Sequence, residues 1–199
     1  MSGRRLTFIA ATLAAIAVLL GLDWIAYSRR PDAGAADPAL ALGGPFSLVG
    51  VDGKPVTQAI VAGKPYAIFF GYTHCPDECP TTLTGLTSDL AKLRKDGKSL
   101  AVLFVTFDPA RDTPKAMGDF LQSFDPSIVG LTGTPQAIAA AAKEWRVYYR
   151  ALPPKNGTYD FDHTSLTYLM DAHGALAGTL TPDEKPDVAM AKLRRLVGG

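Results

Sequence analysis

Cys75 and Cys79 are the only two cysteines in this chain of 199 residues, and three residues lie between them. They stand in the segment "GYTHCPDECP" (71–80), with His74 directly in front of the first thiol. Two thiols at this spacing can form a disulfide, act as a dithiol redox pair, or supply two ligands to a soft metal ion. Their position in the fold helps to separate these three kinds of chemistry.

The cysteine segment lies between a predicted buried strand and a predicted helix. "YAIFFGY" (66–72) is a continuous apolar run, as expected of a strand covered on both faces. After the cysteines, leucines recur at helical spacing: Leu83, Leu86, Leu90 and Leu93. We therefore expect the thiols at the carboxyl edge of a sheet, where open α/β folds carry their sites and a helix N-terminus favours the thiolate.

Stability alone is a poor explanation for the cysteine pair. Closing so short a loop contributes only about 2 kcal/mol, against about 4 kcal/mol for a loop of many tens of residues. Redox exchange is a stronger alternative, but thioredoxin-type exchangers carry Cys-x-x-Cys and a cis-proline before the strand that faces the pair. The corresponding segment here, "TYDFDHT" (158–164), has no proline and offers His163 instead.

His163 is the first candidate for a third ligand. The predicted strand 166–170 should run antiparallel to strand 66–71, which places the residues before it beside the cysteines. His173 follows the far end of that strand, and His74 is adjacent to Cys75, where consecutive side chains seldom converge. Both are therefore interpreted as solvated or hydrogen-bonded side chains. Two thiolates and one imidazole suit Cu(I), permit Cu(II), and also suit Zn²⁺ with an open fourth position.

The remaining segments alternate between strand and helix patterns. "LAVLFVTF" (100–107) is a second buried strand, and Thr113-Pro114 and Thr134-Pro135 each begin a helix. Further strands are predicted near "SIVGL", "RVYYRAL", "SLTYLMD" and "ALAGTL", the last two joined by a hairpin-like turn, with a final helix over about 186–197. This order predicts an α/β fold, a thioredoxin-like three-layer sandwich.

The first 28 residues predict a cytoplasmic tip and a membrane anchor. Residues 6–22 carry no charge, and Arg4 and Arg5 precede them, which favours a cytoplasmic N-terminus and an uncleaved transmembrane helix. A cleaved signal peptide is the alternative, with "AGA" (33–35) as a small-residue cleavage site.

The region after the anchor divides into a linker and a domain. Residues 29–43 are rich in proline, glycine and alanine and predict a flexible tether. Residues 44–199 are predicted to form one exported domain. The expected location is the bacterial inner membrane, crossed once, with this C-terminal domain in the periplasm.

Composition and motif checks disfavour several functional classes. The chain is 47% hydrophobic and 20% charged with a net charge of +1, so it is globular and has no excess of basic residues for nucleic acid. A peroxidase of the peroxiredoxin kind needs a threonine three positions before its reactive cysteine, but Tyr72 and Pro76 occupy these positions. No third thiol is present to act as a separate resolving partner.

Four motifs in order resemble one known family. They are "GYTHCPDECP" (71–80), "VTFDPARDTP" (105–114), "IVGLTG" (128–133) and "DHTSLTYLMD" (162–171). Over about residues 44–196 the chain closely resembles the Sco/SenC family of copper-binding assembly proteins.

The resemblance implies a membrane-tethered, thioredoxin-like protein that helps to build the binuclear copper centre of cytochrome c oxidase. By position, Cys75, Cys79 and His163 are the copper ligands, for one Cu(I) or Cu(II) per chain. The implied partners are the oxidase subunit that carries the copper site and a thioredoxin-like reductant. The resemblance leaves open whether the chain is a copper donor, a thiol reductase or a redox sensor. A metallochaperone is expected rather than an enzyme, with thiol–disulfide exchange by the two cysteines as the alternative.

Three acidic residues are candidates for support of the site or for docking of a partner. Asp108 and Asp112 follow a central strand and so share the sheet edge with Cys75. Turn and helix-cap chemistry in "DPARDTP", where Asp and Pro are expected anyway, is the preferred explanation of both. Asp162 precedes His163 and is predicted to orient its imidazole.

Overall fold

The structure, a computed structural model, describes residues 18–21 and 42–198. The second of the chain's two units, Leu42–Gly199, carries the strands and helices described below. Nearly all of the predicted anchor (1–28) and tether (29–43) lies outside the described residues. Within the part of the chain that is described, no helix has the length and apolar composition needed to cross a bilayer.

Nine strands are present in the described residues. They are β1 (Ser47–Gly50), β2 (Pro55–Thr57), β3 (Tyr66–Gly71), β4 (Ala101–Thr106), β5 (Ile128–Thr132), β6 (Tyr149–Ala151), β7 (Phe161–His163), β8 (Thr167–Met170) and β9 (Leu176–Leu180). Seven of them form one mixed sheet in the order β2–β1–β5–β4–β3–β8–β9, while β6 and β7 pair separately.

The strand that leads into the cysteines lies inside the sheet, between β4 and β8. All six residues of β3 are buried, which explains its continuous apolar sequence. β3 pairs in parallel with β4 and antiparallel with β8, with Phe69 opposite Phe104 and Ile68 opposite Tyr168. The antiparallel arrangement predicted for strands 66–71 and 166–170 is therefore confirmed. β8 and β9 are also antiparallel neighbours, as their hairpin-like connection predicts.

Four α-helices lie within residues 42–198. They are α1 (Glu78–Lys95), α2 (Pro114–Leu121), α3 (Pro135–Glu144) and α4 (Pro186–Leu196). The Thr113 hydroxyl accepts a hydrogen bond from the amide of Ala116, and proline occupies the first turn of α2, so the predicted cap is confirmed. After α1, Gly97 adopts a φ of 71°, a conformation that L side chains rarely adopt and that stops the helix.

Helices cover both faces of the sheet. Phe69 and Phe104 stack with ring centroids 5.8 Å apart, and Phe104 packs on Phe120 of α2 at 6.0 Å. Phe70 points to the opposite face because successive strand residues alternate, and it packs 5.9 Å from Trp145, which directly follows α3. Trp145 is fully buried. The chain therefore has the predicted thioredoxin-like α/β fold.

Two strand pairs differ from the sequence-based expectation. The hairpin of β1 and β2 at one sheet edge was not predicted, and "RVYYRAL" forms a strand only over the three residues of β6. His163 is not the first residue of a long strand. It ends the short strand β7, which pairs with β6 so that His163 lies opposite Tyr149. A separate two-stranded sheet thus presents this imidazole.

Candidate metal centre

The first thiol lies in a short connection between strand and helix. β3 ends at Gly71 and α1 begins at Glu78, so Cys75 precedes the helix while Cys79 lies in its first turn. The two sulfurs therefore do not share one helical face. They approach because the loop folds back, and the amide of Cys79 donates a hydrogen bond to the Cys75 sulfur at 3.3 Å.

Gly71 is required for the position of the second thiol. A Cβ atom at this residue would lie 2.7 Å from Cys79 Sγ and 2.8 Å from a ring carbon of Phe104. Only a residue without a side chain lets the strand end pass this close to the helix. Cys79 is fully buried as a result, whereas Cys75 is partly exposed.

The three predicted ligands converge at one place. The two cysteine sulfurs and an imidazole nitrogen of His163 all lie within 4.8 Å of one another. Within the described residues this is the group of ligating side chains that has the geometry to hold a metal ion. The sequence prediction that His163, rather than His74 or His173, joins the cysteines agrees with this arrangement.

Packing and one hydrogen bond fix the His163 imidazole. Its side chain is only 5% exposed and lies 4.9 Å from the Phe107 ring and 6.0 Å from the edge-on ring of Tyr72. Nδ1 lies 3.0 Å from the carbonyl oxygen of Thr164 and donates to it, because a carbonyl can only accept. Nε2 is thereby the nitrogen that can ligate a metal.

The two thiols have opposite acidities. The hydrogen bond from the Cys79 thiol is the main cause that holds the pKa of Cys75 far below its ordinary value, with help from His163. The same hydrogen bond, together with burial, raises the pKa of Cys79. Burial lowers the pKa of His163, but its bonds to Cys75 and to the Thr164 carbonyl outweigh this and raise it. Without a metal, the site thus favours the thiolate form of Cys75, the thiol form of Cys79 and the protonated form of His163.

We expect a small alkylating reagent to modify Cys75 well before Cys79 in the reduced, metal-free chain. Cys75 is the accessible thiol and the one with the lowered pKa. Its rate should stay nearly constant as the pH falls from about 8 to about 6, whereas an ordinary thiol becomes about tenfold slower per pH unit. Timed quenching with peptide mass spectrometry gives both rates. Preferential modification of Cys79 would contradict this assignment.

Asp112 supports the loop in front of Cys75. Its carboxylate is completely buried and accepts three hydrogen bonds: from the Thr73 amide at 2.9 Å, the Thr73 hydroxyl at 2.5 Å and the Thr106 hydroxyl at 2.6 Å. The end of β4 and the start of the cysteine loop are thereby tied to one carboxylate. This support role was one of the two predicted for Asp112.

Asp108 and Asp162 have their polar partners outside the three-ligand group. Asp108 is buried, accepts a hydrogen bond from the Tyr159 hydroxyl at 2.8 Å and pairs with Arg111. Asp162 is exposed and faces Arg150 across the β6–β7 pair, at 3.3 Å. The partner that orients His163 is therefore the Thr164 carbonyl and not Asp162, because successive residues of a strand point to opposite sides.

Tyr72 and Glu78 contribute contacts that sequence reasoning did not assign. The Tyr72 hydroxyl lies 3.4 Å from Asp160 and 3.4 Å from the amide of Phe161, so it joins the cysteine loop to β7. A carboxylate oxygen of Glu78 lies 3.9 Å from His163 Nε2 and accepts a hydrogen bond from Ser165. Both residues lie inside the 71–80 motif, and this position is the sequence feature that could have identified them as part of the site.

The site opens into a cleft of about 310 Å³ at the carboxyl edge of β3. Its rim carries four carboxylates: Asp77, Glu78, Asp160 and Asp162. The donor set itself fits a soft cation, since two sulfurs and one imidazole nitrogen favour Cu(I) over hard ions such as Mg²⁺. The negative rim favours approach of a cation from solvent.

The family model and the most similar proteins found by comparison are all Sco or SenC proteins. The SCO1/SenC family model matches residues 34–198. Protein SenC of Rhodobacter capsulatus is 36% identical over 172 residues, an alignment that covers 81% of this chain and 76% of that protein. Mitochondrial SCO2 of Saccharomyces cerevisiae is 37% identical, with 85% of this chain covered. The alignments span 57% of the yeast protein and 43% of the Arabidopsis thaliana SCO1 homolog 1, so the chain spans about half the length of these two relatives.

Solved structures show the same fold. The copper-bound structure of ScoI from Bradyrhizobium japonicum is 45% identical, with a TM-score of 0.72, and covers 78% of this chain and 99% of that one. Copper-bound yeast Sco1 is 39% identical, with a TM-score of 0.73, and the match covers 80% and 90% of the two chains.

Proposed function

The chain belongs to the SCO1/SenC family, and from this premise we propose that it is a membrane-anchored copper chaperone for cytochrome c oxidase. The observation that carries the proposal is the convergence of Cys75, Cys79 and His163 within 4.8 Å. The similar structures of ScoI and yeast Sco1 are copper-bound, and the Sco family is described as one of cytochrome c oxidase assembly proteins.

The three side chains would hold copper in distinct ways. Cys75 and Cys79 would bind Cu(I) as thiolates, and His163 would complete the site through Nε2 and permit Cu(II). Binding requires the loss of the Cys79 proton and of any proton on His163 Nε2, so copper competes with protons. Copper is the cargo, and it would leave by ligand exchange with cysteines of the client. Cys75 is the accessible thiol and therefore the natural point of exchange.

Partners and location follow from the family and from the N-terminal sequence. The proposed client is the oxidase subunit that carries the binuclear copper site, and a thioredoxin-like partner would keep the two thiols reduced. Residues 1–28 would anchor the chain in the bacterial inner membrane, residues 29–43 would act as a tether, and residues 44–199 would form the periplasmic copper-binding domain.

The test is anaerobic competition for Cu(I) between a chelator and the reduced full chain in detergent. We expect the unmodified chain to bind one copper tightly. In His163→Ala the affinity for copper should be about 10- to 100-fold lower, because loss of a side chain that only hydrogen-bonds to a metal ligand already costs this much. Thermal unfolding should show that the fold is retained. His173→Ala, an exposed histidine in the β8–β9 turn, is the matched control. Full affinity in His163→Ala would remove this residue from the site.

A second function, reduction of a client disulfide, is favoured by the acidity of Cys75. Its thiolate would attack the client disulfide and form a mixed disulfide, and the Cys79 thiolate would then attack the Cys75 sulfur. The client leaves with two thiols, and the chain keeps the Cys75–Cys79 disulfide until a dithiol partner reduces it. His163→Ala should preserve this exchange. The second function is favoured if the unmodified chain and His163→Ala bind copper equally weakly and both reduce the client disulfide.

A further inference from the structure

His163 is carried by a hairpin, residues 148–164, that is longer than the β6–β7 pair. Past the pair, the backbones of Lys155 and Thr158 exchange hydrogen bonds at 2.7 and 3.1 Å. The two residues between them have φ values of 54° and 80°, as in a type I′ turn, and the whole turn is exposed. This segment, the His163 hairpin, therefore extends from the metal site to an exposed tip.

Arg111 contacts the His163 hairpin near that tip. The central carbon of its guanidinium lies 3.7 Å from the centre of the Tyr159 ring, and Nη1 donates to the Thr158 hydroxyl at 3.4 Å. Nε pairs with the Asp108 carboxylate, which also accepts a hydrogen bond from the Tyr159 hydroxyl at 2.8 Å. A guanidinium that is both stacked on a ring and bonded to a carboxylate is held in one geometry. Asp108, Arg111 and Tyr159 thus contact one another in a closed group, the latch.

The latch is fixed to the large sheet but leaves one donor without a partner. The Asp108 amide donates at 2.9 Å to the hydroxyl of Thr106, the last residue of β4. Nη2 of Arg111 is buried and has no hydrogen-bond partner within residues 18–21 and 42–198. A buried donor without a partner is unfavourable, and water could reach this one if the Tyr159 ring moved off the guanidinium. This hydration would offset part of the free energy that is lost when the latch opens.

Ring contacts connect the latch to the imidazole. The Tyr159 ring meets the Phe161 ring edge-on, with centroids 5.7 Å apart. Phe161 lies 4.9 Å from Phe107, and the Phe107 ring lies 4.9 Å from the imidazole of His163. Phe161 and His163 are alternate residues of β7 and so point to the same face. The face of the hairpin that the latch holds is therefore the face that presents the ligand.

We propose that Arg111 and Tyr159 are positioning residues for His163, and that opening of the latch sets the rate at which copper enters and leaves. This inference rests on the proposed function and adds a step to it. When the His163 hairpin moves away from the sheet, the Cu–N bond to His163 breaks. Cu(I) then stays on the two thiolates until a thiolate of the client binds it, and no electron is transferred.

The first test needs no copper. The amides of Leu152 and Thr164 donate hydrogen bonds across the hairpin, so their hydrogen exchange, followed by NMR in the reduced full chain in detergent, reports its opening. Exchange at both should be about tenfold faster in Tyr159→Phe, which keeps the ring but loses the hydrogen bond to a carboxylate. Tyr148→Phe is the matched control. Its side chain is in the same hairpin but is 51% exposed, so exchange should be unchanged.

The second test compares the rate of copper transfer with the affinity for copper. Stopped-flow transfer of Cu(I) from the loaded full chain to an excess of chelator should be about tenfold faster in Tyr159→Phe, because the open form is about tenfold more populated. Equilibrium competition should give an affinity within about twofold of the unmodified chain, since nearly all molecules remain closed. A substitution that only distorts the site would instead lower the affinity. Tyr148→Phe should match the unmodified chain in both measurements.

Arg111→Lys provides a second variant for the same comparison, in case Tyr159→Phe does not fold. Lysine keeps the positive charge but cannot stack a planar guanidinium on the Tyr159 ring, so exchange and transfer should again be faster. Arg150→Lys is its matched control, because Arg150 is 64% exposed and pairs with Asp162 on the outside of the same hairpin.

The outcomes separate this inference from the proposed function. Unchanged transfer rates in Tyr159→Phe and Arg111→Lys, with one copper bound in each, would overturn the latch and leave the chaperone function intact. A lower affinity without faster transfer would also overturn it. Failure of the unmodified chain to bind one copper would overturn the proposed function and, with it, the role of the latch in copper exchange.

Discussion

Replacement of Cys75 by serine should lower the affinity of the reduced chain for Cu(I) by more than about a hundredfold, a larger loss than that of His163→Ala because a thiolate is the softer donor. A serine hydroxyl does not ionise near neutral pH and is a hard donor, so the soft ion would retain only Cys79 and His163. The loss should also lower the pKa of Cys79, because the hydrogen bond to Cys75 is the main cause that raises it.

The fold should tolerate this change. Cys75 is partly exposed, and serine has nearly the same shape as cysteine. The free energy of unfolding should therefore change by less than about 1 kcal/mol, as for most surface substitutions. Competition with a Cu(I) chelator gives the affinity, and thermal unfolding gives the control. A Cys75→Ser protein that binds copper as tightly as the unmodified chain would show that the ion is held elsewhere, and the chaperone proposal would fail.

Asp112→Ala should destabilise the metal-free chain by about 3–5 kcal/mol, because it removes the buried carboxylate that is the common acceptor of three donors. The substitution leaves the Thr106 hydroxyl, which is buried, and the amide and hydroxyl of Thr73, which is half-buried, without their acceptor. Each buried donor without a partner costs about 1–3 kcal/mol. For a domain of this size, the unfolding midpoint should fall by roughly 10 °C.

The control is Asp119, an aspartate in α2, the helix that begins two residues after Asp112. Asp119 pairs with Lys115 on the exposed surface of α2, where its side chain is 57% exposed. Asp119→Ala should change stability by less than about 1 kcal/mol because solvent screens such pairs. Denaturant unfolding of both variants tests the contrast. A loss below about 1 kcal/mol in Asp112→Ala would mean that the loop repacks without its carboxylate.

The strands at the centre of the fold could be predicted because burial on both faces leaves a continuous apolar sequence. This holds for β3 and β4, whose residues are almost all fully buried. The β1–β2 hairpin has alternating exposure and contains Pro55, so its sequence resembles a loop. β7 is only three residues long and includes Asp162, and its strand conformation depends on pairing with β6. Short edge strands have no local signal strong enough to identify them.

In the site, too, residue types could be predicted from the sequence, whereas contacts between residues far apart in the chain could not. Cys75, Cys79 and His163 could be selected from their residue types and from the order of the strands. The contact of Asp112 with Thr73 joins residues 39 positions apart, so no local pattern reveals it. The role of Gly71 was also hidden, because it depends on how closely Cys79 approaches the strand end. Asp162 was expected to orient His163 from adjacency alone, and strand alternation directs it elsewhere.

The ligands come from two separate sheets, which gives the ion a mechanical role. Cys75 and Cys79 follow β3 of the large sheet, whereas His163 belongs to the small β6–β7 pair, more than eighty residues farther along the chain. An ion held by all three is a reversible cross-link that closes a very long loop. Because linkage is reciprocal, any free energy by which the cross-link stabilises the docked β6–β7 pair appears equally as affinity for the ion. Undocking of the β6–β7 pair would therefore weaken the hold on such an ion and leave both thiols in place.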